Sequence, residues 1–399
     1  MPPLRLRTIR TVIVPNRVLL ARLTRVPELG PEILFFSGGS AINPLSRQLI
    51  RFTHNSIHLI TTFDSGGSSA KLRQAFNMPA VGDLRNRLMA LADQSIKGNP
   101  DIARLFSYRL PKEADHAHLD TRLKMMVSGH DPLIADISDP MRKIIRTHLN
   151  FFMKKKPSDF DLRGASIGNL VLAGGFLNHE RHLDPVVYLF SKLAEVRGVV
   201  RPIINENLDL VAELEDGRVL VGQHLMTGRE VPPIDSPIAR VYLSEKKSSP
   251  RPKRPRIRDK TTSLIRKAEL ICYPMGSFYS SLIANLLPLG VSEAVASADC
   301  PKVFIPNTGH DHESFDQSVN HQIGVLIKYL TKDLSPEPGL DRLLNMVLID
   351  SKNAFYPGGL EIKAMEDLGL TVVDTELVTN ESRPYLDPEL LANALLSLV

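Results

Sequence analysis

A chain of 399 residues, 43% hydrophobic and 23% charged, has ordinary globular composition and enough length for a large core. Two cysteines exclude a disulfide framework, and no apolar stretch of ~18 residues is present to span a membrane. The net charge of +5 is local: residues 246–260 hold eight basic side chains and one acid, a net of +7, which leaves −2 for the remainder. Nucleic acid is therefore not an expected partner, and without a secretory h-region the expected location is cytoplasmic.

Residues 1–30 alternate basic and apolar side chains, with Arg5, Arg7 and Arg10 among Leu6, Ile9, Val12 and Val14, and close on Pro27 and Gly30. The pattern predicts an N-terminal arm of one or two short strands, either an edge strand or a homodimer contact, ahead of a single domain over 31–399.

Two short apolar runs follow, Ile33–Phe36 and Ile57–Phe63. Both are too short for helices and are rich in β-branched or aromatic residues, so they read as buried strands. Each ends in glycines: Ser37-Gly38-Gly39-Ser40 after the first, and Asp64-Ser65-Gly66-Gly67-Ser68-Ser69 after the second. Helical patterns then run from Ala41 to Thr53 and from Ser68 to Phe76. Glycine lets the backbone approach a ligand, and a helix start offers free N–H groups to an anion. Two such turns place a phosphate site at the carboxyl ends of adjacent parallel strands. Neither turn is a P-loop or a dinucleotide G-x-G-x-x-G.

Asp83 is placed to cap a helix with the apolar face Leu84, Leu88 and Leu91, which puts Arg85 and Asn86 in its first turn. A first-turn arginine opposes the helix dipole, so it faces either a bound anion or solvent. Residues 96–163 are polar and helical in pattern, and the spacing of His116, His118, His130 and His148 matches no zinc template. Gly168-Asn169 opens an apolar run that includes Gly174-Gly175, which reads as a buried, closely packed helix. Asp216-Gly217 between apolar runs signals a β-hairpin, and Ala239–Leu243 reads as another strand. The basic, proline-rich run 246–260 reads as an exposed extended loop, more a solvated linker than an anion site. Beyond it, Ala268–Tyr273 is a strand turning at Gly276-Ser277 into a helix, and Val303–Asn307 is a strand with Asn307 at its end. Asp311, His312 and Glu313 are adjacent on a loop, so helix capping is expected there in place of a metal site. Strands at Met346–Ile349 and Thr371–Val373 precede a closing helix after Asp387-Pro388.

Asp64-Ser65-Gly66-Gly67-Ser68-Ser69-Ala70-Lys71-Leu72-Arg73 and Gly82-Asp83-Leu84-Arg85-Asn86, with Gly168-Asn169 and the Gly276-Ser277 turn, resemble the CofD/YvcK group. That group includes 2-phospho-L-lactate transferase and the YvcK-type gluconeogenesis factors. The resemblance runs from about residue 31 to about residue 325. It implies the same α/β class as the alternation of strands and helices: a Rossmann-like parallel sheet flanked by helices, with a small β-hairpin element. It also implies a nucleotide diphosphate-linked donor whose phospho-organic-acid group moves onto a hydroxyl. In that reading Asp64 holds a ligand-bridged magnesium ion and is the catalytic and metal residue. Gly38, Gly39, Gly66, Gly67 and Gly276 offer backbone N–H groups to phosphate oxygens. Ser40, Ser68, Ser69 and Ser277 belong to the same turns, and Asp83, Arg85, Asn86, Gly168, Asn169 and Asn307 complete the ligand-binding set. The alternative is a non-catalytic, YvcK-like nucleotide-sugar-binding regulatory protein. Two departures bear on the choice. The family's paired acids are here Asp64-Ser65, and its Gly-Gly-Gly-Thr-Gly turn is here Ser37-Gly38-Gly39-Ser40-Ala41.

Overall fold

The computed structural model describes residues 11–93, 95, 98–228, 231–245, 247–315 and 317–399. Seven strands form one sheet: β1 (Ile33–Ser37), β2 (Ile57–Ile60), β3 (Val199–Pro202), β7 (Leu270–Tyr273), β8 (Lys302–Phe304), β9 (Met346–Ile349) and β10 (Thr371–Asp374). Their order across the sheet is β3-β2-β1-β7-β8-β9-β10, and every pairing is parallel. The strands are short unbroken apolar runs because helices cover both faces, which leaves no polar side to alternate with. All five residues of β1 are buried. Leu34 and Phe36 enter one core cluster, and Ile33 and Phe35 enter another with Cys272. The period of two sorts one strand between two cores.

The expected alternation of strand and helix is observed, with a second, antiparallel sheet between β3 and β7. This sheet is larger than a hairpin. β4 (Asp209–Leu214) and β5 (Val219–Val221) turn at Asp216-Gly217, and β6 (Ile238–Ser244) pairs with the other edge of β4. Gly217 sits at φ +89°, as a tight turn requires. Arg73 ties this sheet to the main one. Its guanidinium lies 2.9 Å from Asp209 and donates to the carbonyls of Phe63 and Leu208.

Residues 100–193 form a helical layer with its own apolar core. Helix Ile167–Asn178 packs on helix Met141–Lys155 at near-contact distance. A Cβ on Gly174 would lie 1.9 Å from the His148 carbonyl, so glycine there is what lets the two backbones meet. His148 is buried at that contact, and burial followed by the nearby His179 pushes its imidazole down to about 4. His116, His118 and His130 are exposed.

Three expectations are corrected. The N-terminal segment, where described, carries helix Arg17–Leu23 in place of strands. Leu20 enters the core, and the Asn16 amide donates to Ser397 on the closing helix at 2.7 Å. The positions of Arg5, Arg7, Arg10, Leu6 and Ile9 lie outside the described residues.

The basic run is not a free linker. The Lys253 amide donates to the Leu243 carbonyl at 2.7 Å, and Ile257 and Leu289 share a backbone bond at 2.9 Å. Lys253 pairs with Glu206 at 2.9 Å and with Glu245, Arg254 pairs with Asp333, and Arg258 pairs with Asp184 at 2.8 Å. Ile257 is buried in the main core.

Asp311 and Glu313 cap a helix, but not the one that follows them. They reach back to the turn after β7, where Asp311 accepts from the Phe278 amide at 2.7 Å and Glu313 from the Ser280 amide at 2.7 Å. The Ser280 hydroxyl donates to the same carboxyl. This end of the chain is a π-helical turn, Phe278–Ile283.

Truncating Ile257 to alanine should therefore cost about 2–5 kcal/mol, read as a lower denaturant midpoint. An unchanged midpoint would restore the linker reading. Glu313 gives a pH signature. Burial, and then the Asp311 charge, push its carboxyl from 4.5 up to about 8. The folded protein then holds a proton that the unfolded chain has lost. Its contribution is complete below about pH 4.5 and fades as pH rises through 8. Glu313→Gln should flatten this loss in melting curves taken from pH 5 to 8.5, and parallel curves for both proteins would count against it.

Candidate functional site

The strand order reverses about β1. The chain moves outward through β2 to β3 on one side, then returns to β7 on the other. Loops leaving β1 and β7 diverge to opposite faces, and the gap between them is where open α/β sheets bind ligands. All the glycine turns read from the sequence converge on this edge. A Cβ on Gly276 would lie 3.4 Å from Ala41, which joins the β7 turn to the β1 turn. A Cβ on Gly38 would lie 2.5 Å from Thr61 Oγ1 and 3.0 Å from Ser281 Oγ, so the first turn lies against the end of β2 and the helix after β7. Gly39 takes φ +54°. Among the described residues nothing accepts from the N–H groups of Gly38 or Gly39.

The second turn is built around Asp64. Its Oδ1 accepts from the Gly66 amide at 3.0 Å, and its Oδ2 lies 3.3 Å from where a Cβ on Gly82 would stand. The same position on Gly82 would meet Ser69 Oγ at 2.7 Å, so Asp64, Ser69 and the helix carrying Asp83 share one corner. Helix Gly67–Phe76 starts at this turn with Gly67 at φ +47°. Ser68 Oγ accepts from Asn169 at 3.0 Å, which leaves its own hydrogen for a ligand. The buried Asn169 has no partner for its Oδ1.

Two predicted donors are already used. The Gly66 amide serves Asp64, and the Gly276 amide donates to Asn307 Oδ1 at 2.8 Å, while the Asn307 amide returns to the Gly276 carbonyl at 2.5 Å. Asn307 thus shapes the β7 turn. Ser277 accepts the Ser281 and Leu282 amides through its carbonyl, and Ser40 is exposed at the mouth of the first turn. Asp83 lies within the first turn of helix Gly82–Ala90, whose cap is Val81.

Arg85 is buried and does not face solvent. It donates to the Phe106 carbonyl at 3.4 Å and to Asn86 Oδ1 at 2.5 Å, and its Nε has no acceptor. A Cβ on Gly168 would lie 2.8 Å from its side chain. Burial, then Arg109, lower it to about 10, so it stays a cation at neutral pH.

Sequence reasoning missed a second arginine. Arg87 is fully buried beneath the first turn, donating to Ser46 at 2.7 Å and to the Gly39 carbonyl at 3.5 Å. Burial lowers it to about 9, opposed by Asp83. It also missed His224, whose ring nitrogen lies 2.7 Å from Ser65 Oγ across 159 positions of sequence. No local signal announces that contact.

Among the described residues no group of three or more His, Cys, Asp or Glu could hold a metal. Asp64 offers one free oxygen, which suits a magnesium ion that takes most of its ligands from water and a bound diphosphate. The largest hollow lies beside the turns. It measures about 550 Å³ and is lined by Lys352, Asn353, Phe355 and Arg383 after β9. A smaller one of about 280 Å³ lies between Ile234 and His312. No helix is long and apolar enough to cross a membrane.

Comparison with known proteins agrees with this geometry. The gluconeogenesis factor of Bacillus subtilis is 27% identical over 365 residues, 88% of this chain and 92% of that protein. The one from Listeria monocytogenes is 24% identical and covers 93% of this chain and 97% of its own. A crystal structure of a UPF0052 family member from Bacillus halodurans superposes with a TM-score of 0.67 at 22% identity, covering 92% of this chain and 99% of that one. The family model described as 2-phospho-L-lactate transferase CofD matches residues 33–384, and the chain belongs to that family.

Proposed function

We propose that this protein binds a nucleotide diphosphate-linked ligand along the carboxyl edge of the sheet. The diphosphate lies over the open amides of Gly38 and Gly39 and the start of helix Gly67–Phe76, which favours an anion. Ser68 and Ser69 add hydroxyls, and Arg85 and Arg87 supply charge from below. The remainder of the nucleotide extends toward the hollow after β9, where Phe355 is 64% exposed between Lys352 and Arg383.

Of the two roles open to the family, the geometry favours nucleotide-sugar binding of the gluconeogenesis-factor type over phospho-organic-acid transfer. The carrying observation is Ser65. Its hydroxyl is engaged by His224 where the family's second carboxylate would stand, so one acid of the metal pair is replaced. Transfer from a diphosphate depends on positioned charge neutralisation, and a single carboxylate holds a cation weakly. No side-chain nucleophile with a partnered base supports a covalent route at Asp64.

The deciding experiment offers purified protein UDP-glucose, then a phospholactyl nucleotide with a hydroxyl acceptor. Binding of the first without turnover of the second is expected, and transfer of the phospholactyl group would overturn the regulatory reading. Magnesium should strengthen UDP-glucose binding yet bind poorly to the empty protein. Asp64→Asn should remove most of that magnesium dependence while leaving the melting temperature intact. Calorimetric titrations of both proteins, with and without magnesium, decide it: four equal affinities would make Asp64 a turn-forming residue only.

A further inference from the structure

We propose that His224 is a ligand-contacting residue of this site, held in place by Ser65, and that it donates from Nε2 to the bound diphosphate. The inference rests on the binding reading above. His224 comes from the short turn after β5, in the small antiparallel sheet. Ser65 Oγ accepts from the His224 backbone N–H at 3.2 Å and lies 2.7 Å from His224 Nδ1. Because the oxygen is accepting from the amide, its own hydrogen goes to Nδ1 of the neutral ring. The ring proton is then on Nε2, which becomes the donor.

The ring has a built seat. Gly222 takes φ +114°, and a Cβ there would lie 2.9 Å from ring atoms Cε1 and Nδ1 and 3.0 Å from Ser65 Oγ. Any larger residue would displace the imidazole. The Nδ1 edge therefore faces Gly222 and Ser65, and Nε2 lies on the far edge. The ring is half-buried, and among the described residues Nε2 has no hydrogen-bond partner.

Neighbouring residues place this segment across the cleft. Gln223 donates to Ser280 Oγ at 3.2 Å on the helix after β7, and a Cβ on Gly228 would lie 3.1 Å from His312 after β8. The segment thus touches the turns after β2, β7 and β8. A donor oriented by two neighbours, and left without an acceptor beside an anion site, is arranged for the anion. Ser65 has a matching role: in place of a second carboxylate, it fixes a hydrogen-bond donor.

The test uses the full chain and inorganic pyrophosphate with magnesium, followed by calorimetry. His224→Ala should weaken binding about ten- to a hundredfold, the range for a hydrogen bond to a charged group. His224→Gln keeps an N–H donor near the Nε2 position and should stay within about threefold of the parent. Ser65→Ala should give an intermediate loss, and the double variant Ser65→Ala/His224→Ala should be no weaker than His224→Ala alone, because serine acts only through the ring. Equal losses in His224→Ala and His224→Gln, or full additivity of the two alanine variants, would overturn the proposal. So would pyrophosphate binding unchanged in a folded His224→Ala protein, which leaves the binding reading standing. A parent protein that binds no pyrophosphate overturns both.

Discussion

The position of β1 between two parallel neighbours is the constraint on which the site depends. β1 pairs with β2 on one edge and with β7 on the other, at Leu34–Ile57 and Leu34–Ile271. The chain after β1 and the chain after β7 must therefore leave in opposite directions. Everything assigned to the ligand hangs on the gap this opens: Gly38 and Gly39 from one side, Gly276 and Ser277 from the other, and Asp64 from the end of β2. The apolar strands anchor these ends, since each is buried from end to end. A binding edge made from strand termini inherits the rigidity of the core beneath it.

The electrostatics of that edge are asymmetric. Arg85 and Arg87 are both buried, and each leaves its Nε without an acceptor. Neither bonds a carboxylate; their partners are carbonyls, an amide and a hydroxyl. Desolvating an arginine without a paired acid costs several kcal/mol, and carbonyl dipoles offset only part of it. The fold keeps this cost beneath the first glycine turn, and an arriving anion relieves it. Such a site trades stability for affinity, as functional sites commonly do. The Ser65 and His224 pair follows the same direction, because it removes an acid from the edge and adds a donor.

What was legible in the sequence was local. The runs before Gly38, Gly66 and Gly276 announced buried strands by their length and β-branching, and their glycines announced the turns. Asp216-Gly217 fixed a hairpin for the same reason. β3 was not read, because Val199-Val200-Arg201-Pro202 is short, polar at one position and proline-ended, as an edge strand tolerates. The basic run misled because composition shows eight cations but not the acids that meet them, at Asp184, Glu206 and Asp333. Asp311 and Glu313 were read as caps for their own segment, whereas the open amides they meet are 33 residues back, at Phe278 and Ser280. Capping is a local signal only when the helix it serves is the next one.

The topology also explains how a histidine so distant in sequence reaches Ser65. β3 is at the edge of the sheet and β7 is next to β1, so the connection between them has to travel back past β2 and β1. That connection leaves from the carboxyl end of β3, the same edge as the glycine turns. An element inserted early in it, as β4 and β5 are, is therefore set down beside the turns after β1 and β2. Arg73 then fixes its position, because the one guanidinium bonds the Asp64 carbonyl behind the second turn, the Leu208 carbonyl ahead of β4 and the Asp209 carboxylate at its start. With β4 held there, its partner β5 ends at Val221, and the next three residues are Gly222, Gln223 and His224. The meeting of His224 and Ser65 thus follows from strand order and one buried ion pair, with no contribution from sequence proximity.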